Sequence, residues 1–185
     1  MAVDRSRLPP LAAEPAFAFP EIRRAILPSG LRVWTVEHHA VPLVSFLLLL
    51  PAGAATDPPE RPGLAAVTSD LLDEGCGDLN AIDVHEALGR MGAHLDTEIG
   101  SDATLLTLTS LARSAPQAVA LLADMIVRPR LEPRDFDRVR ELRLNRLVQL
   151  RDTPSGMADR ALPASCTRTI PTDTCLSAPR RRSPA

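Results

Sequence analysis

The chain has 185 residues, enough for one core of ordinary size, and its 45% hydrophobic and 24% charged residues are typical of a soluble globular protein. Its formal net charge of −2 gives no electrostatic reason to expect a nucleic acid or a membrane as partner. The longest apolar run, residues 41–50, is too short to span a bilayer, and the N-terminal sequence has no uninterrupted signal-peptide core. We therefore expect a cytoplasmic protein. Three widely separated cysteines predict neither a disulfide framework nor a metal knuckle.

Prolines and glycines mark the first boundaries of the chain. Residues 1–21 contain several prolines among alanine and charged residues, which predicts a flexible leader. Two β-prone runs follow from Ile22, and the intervening Pro28-Ser29-Gly30 predicts a β-hairpin. Residues 41–50 are so rich in apolar side chains that we expect a strand buried on both faces.

A short helix is predicted over residues 63–75, within the stretch GLAAVTSDLLDEGC. Its apolar residues recur three and four apart, as on one face of a helix of about three turns, at Leu64, Val67, Leu71 and Leu72. Gly75 and Gly77 provide the stop signal. Asp70, Asp73 and Glu74 lie toward the C-terminal end, where the helix dipole does not favour acidic side chains.

Two elements are expected in the middle of the chain. Asn80 is the predicted N-cap of a helix over residues 81–91, and Gly92 is its stop. Within this helix the pair His85-Glu86 has no second ligand at helical spacing, so we expect it to lie on a solvated face. Residues 93–112 alternate with period two on both sides of residues 100–102, which predicts an antiparallel strand pair.

Two helices are predicted in the last third of the chain. The first follows Ser114 as N-cap, and its apolar stripe comprises Ala118, Leu121, Leu122, Met125 and Ile126. The second is longer and strongly charged, and it ends at Pro154. Its predicted buried side comprises Phe136, Val139, Leu142 or Arg143, Arg146 or Leu147, and Leu150. The arginines of this helix alternate with acidic residues, which favours a solvated face with i,i+4 ion pairs.

The segment VPLVSFLLLLPAGAATDPPERPGLA, which begins at Val41, resembles the approach to the metal helix of the pitrilysin/insulinase metallopeptidases, a family that includes the mitochondrial processing peptidase. In that family a strand ends in a small-residue turn with an Asp, and the helix then opens with Gly-Leu-Ala. The resemblance extends from Arg23 to about Leu162. It implies an α+β fold with a mainly antiparallel sheet packed against helices, namely the first half-domain (residues 22–162), incomplete at its C-terminus.

The same resemblance places a metal site. In active members the helix continues His-x-x-Glu-His, in which the two His bind zinc and the Glu activates water. The corresponding positions here are Ala66, Ser69 and Asp70, and the family's third ligand, a Glu, falls near Asn145 and Arg146. None of these positions has the family's residue. The resemblance therefore implies no catalytic or metal-binding residues and no cofactor, with zinc expected only in an active partner.

Three functions follow from this resemblance. The first is a non-catalytic subunit that pairs with an active pitrilysin-like peptidase subunit and helps to hold an extended peptide in its chamber. The second is a truncated remnant without activity. The third is an active zinc metalloendopeptidase, which would need ligands from elsewhere, although none of the four His has a partner at the family's spacing.

The last residues depart from the pattern. Residues 163–185 have no periodicity and no apolar face, which predicts a disordered tail. Codons for residues 166–176 can be chosen so that, read one base earlier, they encode Leu-Tyr-Pro-Asp-His-Pro-Tyr-Gly-His-Leu-Ser. That peptide resembles the segment that follows the long helix in this family. We therefore hypothesise a frameshift near Ala164 that truncates the chain.

Overall fold

The structure is a computed structural model that describes residues 18–158. They form two compact units, with the boundary between Val41 and Pro42. Most of the predicted leader and all of the predicted tail, residues 163–185, lie outside the described residues.

The first unit contains the predicted hairpin. Strands β1 (Ile22–Ile26) and β2 (Arg32–Val36) pair in antiparallel fashion. Gly30 supplies the positive φ of +86° that the turn requires. The guanidinium of Arg24 lies 4.9 Å from the ring centroid of Trp34, a cation–π contact across the two strands. The hairpin prediction is confirmed.

The second unit contains a three-stranded antiparallel sheet, a two-stranded ribbon and the helices. The sheet has the order β3-β7-β6, and the ribbon pairs β4 with β5. In chain order the elements are β3 (Leu43–Leu50), α1 (Leu64–Asp70), β4 (Gly75–Cys76), β5 (Leu79–Asn80), α2 (Ala81–Met91), β6 (His94–Ile99), β7 (Thr104–Leu111), α3 (Ala115–Val127) and α4 (Pro133–Arg151).

The main core lies between the sheet and the helices α2 and α3. The two helices contribute buried apolar side chains that pack against Leu106 and Leu108 of β7, among them Val84, Leu88, Leu121 and Met125. Asn80, the predicted N-cap of α2, accepts a hydrogen bond from the Asp83 backbone N–H at 3.1 Å. The Asp83 carboxylate in turn accepts one from the Asn80 backbone N–H at 3.1 Å, which completes a capping box. This arrangement confirms the α+β fold with a mainly antiparallel sheet packed against helices.

The prediction that residues 41–50 are buried on both faces is wrong. Strand β3 pairs only with β7 among the described strands, so it is an edge strand. Phe46 and Leu48 pack against the core, whereas Leu47, on the opposite face, is 66% exposed. Successive side chains of a strand point to opposite faces, and the core helices supply contacts to only one of them. An apolar run therefore does not by itself show that both faces are covered.

The helix predicted over residues 63–75 is shorter than expected. Helix α1 ends at Asp70, and turn hydrogen bonds follow, such as that from Leu72 N to Ser69 O at 3.2 Å. The chain leaves the helix because Gly75 joins β4, where its carbonyl accepts a hydrogen bond from Arg130 N at 3.0 Å. These pairings replace the third helical turn that the apolar spacing predicts.

Helix α4 has less buried surface than its apolar spacing predicts. Among the residues of α4 only Val139 is buried, at 4% exposure, while Phe136 and Leu142 from the predicted buried side are 41% and 50% exposed. The reason is that α1 is the main element that contacts α4 in the described part of the chain. A helix that packs against one short helix buries a narrow strip.

The loop after β3 is held against the β6–β7 turn through backbone atoms. Ala54 N donates to Gly100 O at 3.1 Å, and Ala55 N donates to Ser101 O at 2.8 Å. A Cβ atom on Gly53 would lie 2.5 Å from both of these carbonyl oxygens. The close approach therefore requires glycine at residue 53, and it fixes the start of the segment that leads to α1.

We predict that Gly53→Ala destabilises the protein by about 1–3 kcal/mol, because the added methyl group forces two backbone segments apart. Gly89→Ala is the matched control, since residue 89 lies in α2 with open space around it. There the higher helix propensity of alanine should stabilise the protein by up to about 1 kcal/mol. Urea denaturation of both variants measures the difference, and equal effects would contradict the close approach at Gly53.

Candidate functional site

Helix α1, which carries three of the four positions identified from the resemblance, is anchored by a buried carboxylate. Asp57 Oδ2 accepts a hydrogen bond from Gly63 N at 2.7 Å, and Asp57 Oδ1 accepts one from Ala65 N at 2.8 Å. Asp57 thereby satisfies two of the backbone N–H groups that the first helical turn leaves without partners. The resemblance predicts an Asp in this turn but not its capping role.

A cavity of about 320 Å³ lies between α1, β6 and α4. Helix α1 and the turn after it contribute Ser69, Asp70, Asp73 and Glu74, and β6 contributes residues 95–97. Helix α4 contributes Val139, Leu142, Arg143 and Arg146. The walls therefore carry acidic groups on the α1 side and arginines on the α4 side.

The structure brings most of the positions identified from the resemblance to this cavity. Ser69, Asp70 and Arg146 line it, and the fully buried Ala66 lies one turn before Asp70 on the same helix. Asn145 is exposed and does not line the cavity. The α1 and α4 segments that the resemblance pairs thus do face each other.

Arg143 links the two helices across the cavity. Its Nη1 atom forms an ion pair with Asp70 Oδ2 and lies 3.5 Å from the backbone carbonyl oxygen of Ala66. The Arg143 side chain is only 18% exposed. One guanidinium therefore contacts two of the positions at which the family places its zinc-binding histidines.

Arg143 was not among the predicted site residues. The apolar spacing of α4 gave Arg143 as one alternative for the buried side, and the alternation of charges predicted a solvated face for the arginines of this helix. The available signal was its spacing, since residues 139, 143 and 146 fall four and three apart and so share one helix face. The spacing could not identify the partner of Arg143, because Asp70 lies 73 residues earlier in the chain.

A second ion pair joins α4 to the turn that follows α1. Arg138 Nη2 binds Glu74 Oε2, and Arg138 also lies 4.0 Å from Asp135 on its own helix. Burial raises the pKa of the Glu74 carboxyl above its ordinary value. The guanidinium of Arg138 acts in the opposite direction, while the neighbouring Asp73 adds to the increase in this pKa.

Two buried polar atoms at this site have no hydrogen-bond partner among the described residues. They are Ser69 Oγ, in a side chain whose residue is 5% exposed, and Arg143 Nε. Most buried polar atoms in folded proteins have a partner, so each of these marks a place where water or a ligand would bind favourably. Both atoms belong to residues that line the cavity.

The side chains at this site do not fit a zinc ion. Ala66 has no donor atom, and Ser69 offers a hydroxyl group in place of a carboxylate. The one carboxylate at these positions, Asp70, is already paired with the positive guanidinium of Arg143, which would repel a dication. Within residues 18–158 no three His, Cys, Asp or Glu side chains are placed to hold a metal ion.

Two further reactive side chains of the described region, His85 and Cys76, offer no alternative centre. His85 Nε2 lies 3.7 Å from Asp73 Oδ2, and both side chains are largely exposed, as expected for a solvated helix face. Cys76 is buried in the main core. Burial, together with the nearby Asp124, raises the pKa of its thiol, which disfavours the nucleophilic thiolate. Cys76 therefore serves as a packing residue of the main core.

Comparison with known families identifies the class of protein. Residues 32–180 match insulinase, peptidase family M16. The chain belongs to this family.

Relatives and solved structures agree with this assignment. An uncharacterised zinc protease of Mycobacterium tuberculosis is 29% identical over 153 residues, which are 82% of this chain and 35% of the relative. The β subunit of the mitochondrial-processing peptidase of Mus musculus is 25% identical over 147 residues, 80% of this chain and 30% of the subunit. The chain therefore spans about a third of the length of these relatives.

The fold is also that of solved M16 proteins. A crystal structure described as a peptidase M16 inactive domain from Pseudomonas fluorescens superposes with a TM-score of 0.79 at 21% identity, covering 85% of this chain and 39% of that one. A protease from Helicobacter pylori superposes with a TM-score of 0.67 at 18% identity, covering 75% and 34%. In the described part of the chain, no helix combines the length and the apolar character that crossing a membrane requires.

The raised pKa of Glu74 predicts a specific pH dependence. Because the folded state binds this proton more tightly than the unfolded state, Glu74 favours folding most below its ordinary pKa and loses that contribution as the pH rises through its folded pKa. From about pH 4 to pH 7 the wild type should therefore lose stability relative to Glu74→Gln, by less than about 1 kcal/mol. Denaturant unfolding at several pH values measures this difference.

Glu86→Gln is the control, because Glu86 is an exposed residue of α2 whose partner, Arg90, lies on the same helix. It should show no such trend. If the wild type instead gained stability relative to Glu74→Gln over this range, the pairing with Arg138 would outweigh the burial of the carboxyl.

Proposed function

We propose that the chain is a non-catalytic M16 subunit that pairs with an active zinc peptidase of the same family and helps to form its peptide-binding chamber. The observation that carries this proposal is the ion pair between Arg143 and Asp70, which lies where the resemblance places the zinc ligands. Hydrolysis in this family needs a zinc-bound water and a glutamate base, and here the corresponding side chains are those of alanine, serine and aspartate. Peptide cleavage would then belong to the partner.

The relatives support the pairing part of the proposal. One is named as a subunit of a processing peptidase, and one solved neighbour is described as an inactive domain. The α+β core and the facing α1 and α4 helices persist here without the family's ligand residues. A domain that keeps the fold while it lacks the ligands is suited to binding more than to chemistry.

Strand β6 offers a surface for an extended peptide. It borders the cavity and is the second edge of the described sheet. At the turn after β6, Gly100 N donates to Ala103 O at 2.8 Å, so these two residues form a hydrogen-bonded pair. Along an antiparallel ladder, hydrogen-bonded pairs alternate with pairs that are not hydrogen-bonded. Thr97, opposite Leu106, belongs to a pair of the second kind, so its backbone N–H and C=O point away from β7. A peptide that adds to this edge would gain backbone hydrogen bonds.

The proposal predicts that the tagged chain, purified from its own cells, carries a zinc-containing M16 subunit in near-equal amount, and that the peptidase activity of the eluate disappears when that subunit is removed.

In the reconstituted pair, Thr97→Pro should raise the KM for a peptide substrate several-fold with little change in kcat. It removes one outward N–H group from the edge strand. Thr97→Val keeps that N–H and is the matched control.

Other outcomes separate the alternatives. Zinc and chelator-sensitive activity in the isolated chain would identify it as a metalloendopeptidase and overturn the proposal. Recovery of the chain alone, free of metal and inactive, would identify it as a remnant. Equal KM values for Thr97→Pro and Thr97→Val in an active pair would refute the peptide-binding role of β6 while leaving the pairing intact.

A further inference from the structure

The start of α4 combines a fixed segment with a strained residue. The segment before it is tied to the β4–β5 ribbon, because Gly77 N donates to Arg128 O at 2.9 Å and Arg130 N donates to Gly75 O at 3.0 Å. The next residue, Leu131, has a φ of +48° and is the only non-glycine residue with a positive φ among residues 18–158. A branched side chain in this conformation stores backbone strain. The connection therefore has an anchored side and a strained point at which α4 can change direction.

Among residues 18–158, few contacts hold α4 against the rest of the unit. Its one buried side chain is that of Val139, while Leu144 and Val148 are half exposed or more. In the described part of the chain, the polar links to the α1 region are two ion pairs, Arg143 with Asp70 and Arg138 with Glu74. Arg143 Nη1 also lies 3.5 Å from the backbone carbonyl oxygen of Ala66. The side chains of these two pairs are between 15% and 48% exposed, so dissolved salt can screen the attraction between their charges. Electrostatic contacts therefore form a substantial part of the attachment of α4.

The closed arrangement also leaves polar groups without partners. Ser69 Oγ and Arg143 Nε are buried beneath α4 without a hydrogen bond from the described residues. If α4 moved away from α1, water could reach both atoms and form hydrogen bonds with them. These hydrogen bonds would stabilise the open arrangement, in which α4 has moved, relative to the closed one. The strain at Leu131, the unpaired polar atoms and the small apolar contact all lower the free energy needed to move α4 away from α1.

We propose that α4 is a hinged cover over the cavity, with its pivot at Leu131 and with Arg143 and Arg138 as the contacts that keep it closed. Opening would expose the α1 wall, including Ser69, together with the cavity side of β6. The core between the sheet, α2 and α3 stays intact in this motion, because α4 contributes no residue to it. The inference concerns the attachment of α4 and does not depend on whether the chain binds a peptide or a partner.

A thiol-labelling experiment on the full chain tests this proposal. Ser69→Cys is combined with Cys166→Ser and Cys175→Ser, which leaves native Cys76, 2% exposed in the main core, as an internal control. Mass spectrometry follows the modification of both thiols by a maleimide in the same molecule. Addition of Arg143→Gln, or of about 1 M NaCl, where the screening length is about 3 Å, should speed labelling of the introduced thiol about tenfold. Labelling of Cys76 should not change.

Arg140→Gln is the matched control, since Arg140 is an exposed arginine of α4 that does not line the cavity. It should leave both labelling rates unchanged. Parallel acceleration at both thiols would overturn the proposal, because the core would then open together with α4. Equal rates with and without Arg143→Gln, at low and at high salt, would also overturn it, because α4 would then be held by contacts other than the ion pairs.

Discussion

The contact between the Arg143 guanidinium and the Asp70 carboxylate joins the two helices whose facing surfaces form the candidate site. Helix α4 buries one side chain, Val139, and a buried valine contributes about 1.5–3 kcal/mol. The apolar contact of α4 is therefore small, and the partly buried ion pair adds a specific link between α1 and α4. Helix α4 forms one of the three walls of the cavity, and this ion pair links that wall to α1.

The position of α1 depends in turn on a chain of backbone contacts. The end of β3 leads into a loop that is hydrogen-bonded to the β6–β7 turn, and this approach is so close that residue 53 must be glycine. The same loop delivers the Asp57 carboxylate to the first turn of α1. The sheet therefore fixes α1, and α1 holds α4. Because each step relies on the one before, a disturbance at Gly53 should reach the cavity, while a disturbance in α4 should not reach the core.

The ion pair between Arg143 and Asp70 lies where the resemblance places zinc ligands. The resemblance implies that, in an active member of the family, both helices supply ligands to one zinc ion. Here a positive guanidinium supplied by the chain itself lies between the same helices, and it contacts a carboxylate and a backbone carbonyl oxygen. A charged side chain can keep α1 and α4 together without providing an electrophile or activating water. This difference is the physical basis for proposing that the fold is retained for binding.

Local signals predicted much of the fold correctly. The hairpin around Gly30 and the helix that Asn80 caps follow from short-range chemistry, and both are present in the structure. The errors concern residues whose surroundings depend on distant parts of the chain. The apolar run of β3 could not reveal that, within residues 18–158, the core helices cover only one of its faces. The spacing in α1 could not reveal the competing β4–β5 ribbon.

For the candidate site, the resemblance identified Ser69, Asp70 and Arg146, which line one cavity. It could not identify Arg143 as the link, because an arginine within an alternating charged helix has the same local pattern whether it faces solvent or a partner. Only the long-range contact with Asp70 distinguishes these two cases.

A double-mutant cycle on Asp70→Asn and Arg143→Gln, by denaturant unfolding in the presence of excess chelator, tests the central claim most directly. Each single substitution should cost about 1–3 kcal/mol, and the double variant should cost less than the sum by at least about 1 kcal/mol. The same cycle on the exposed pair Glu86 and Arg90 should give a coupling of only about 0.3–0.5 kcal/mol. Additive effects at Asp70 and Arg143, within about 0.5 kcal/mol, would show that this ion pair does not hold α1 and α4 together.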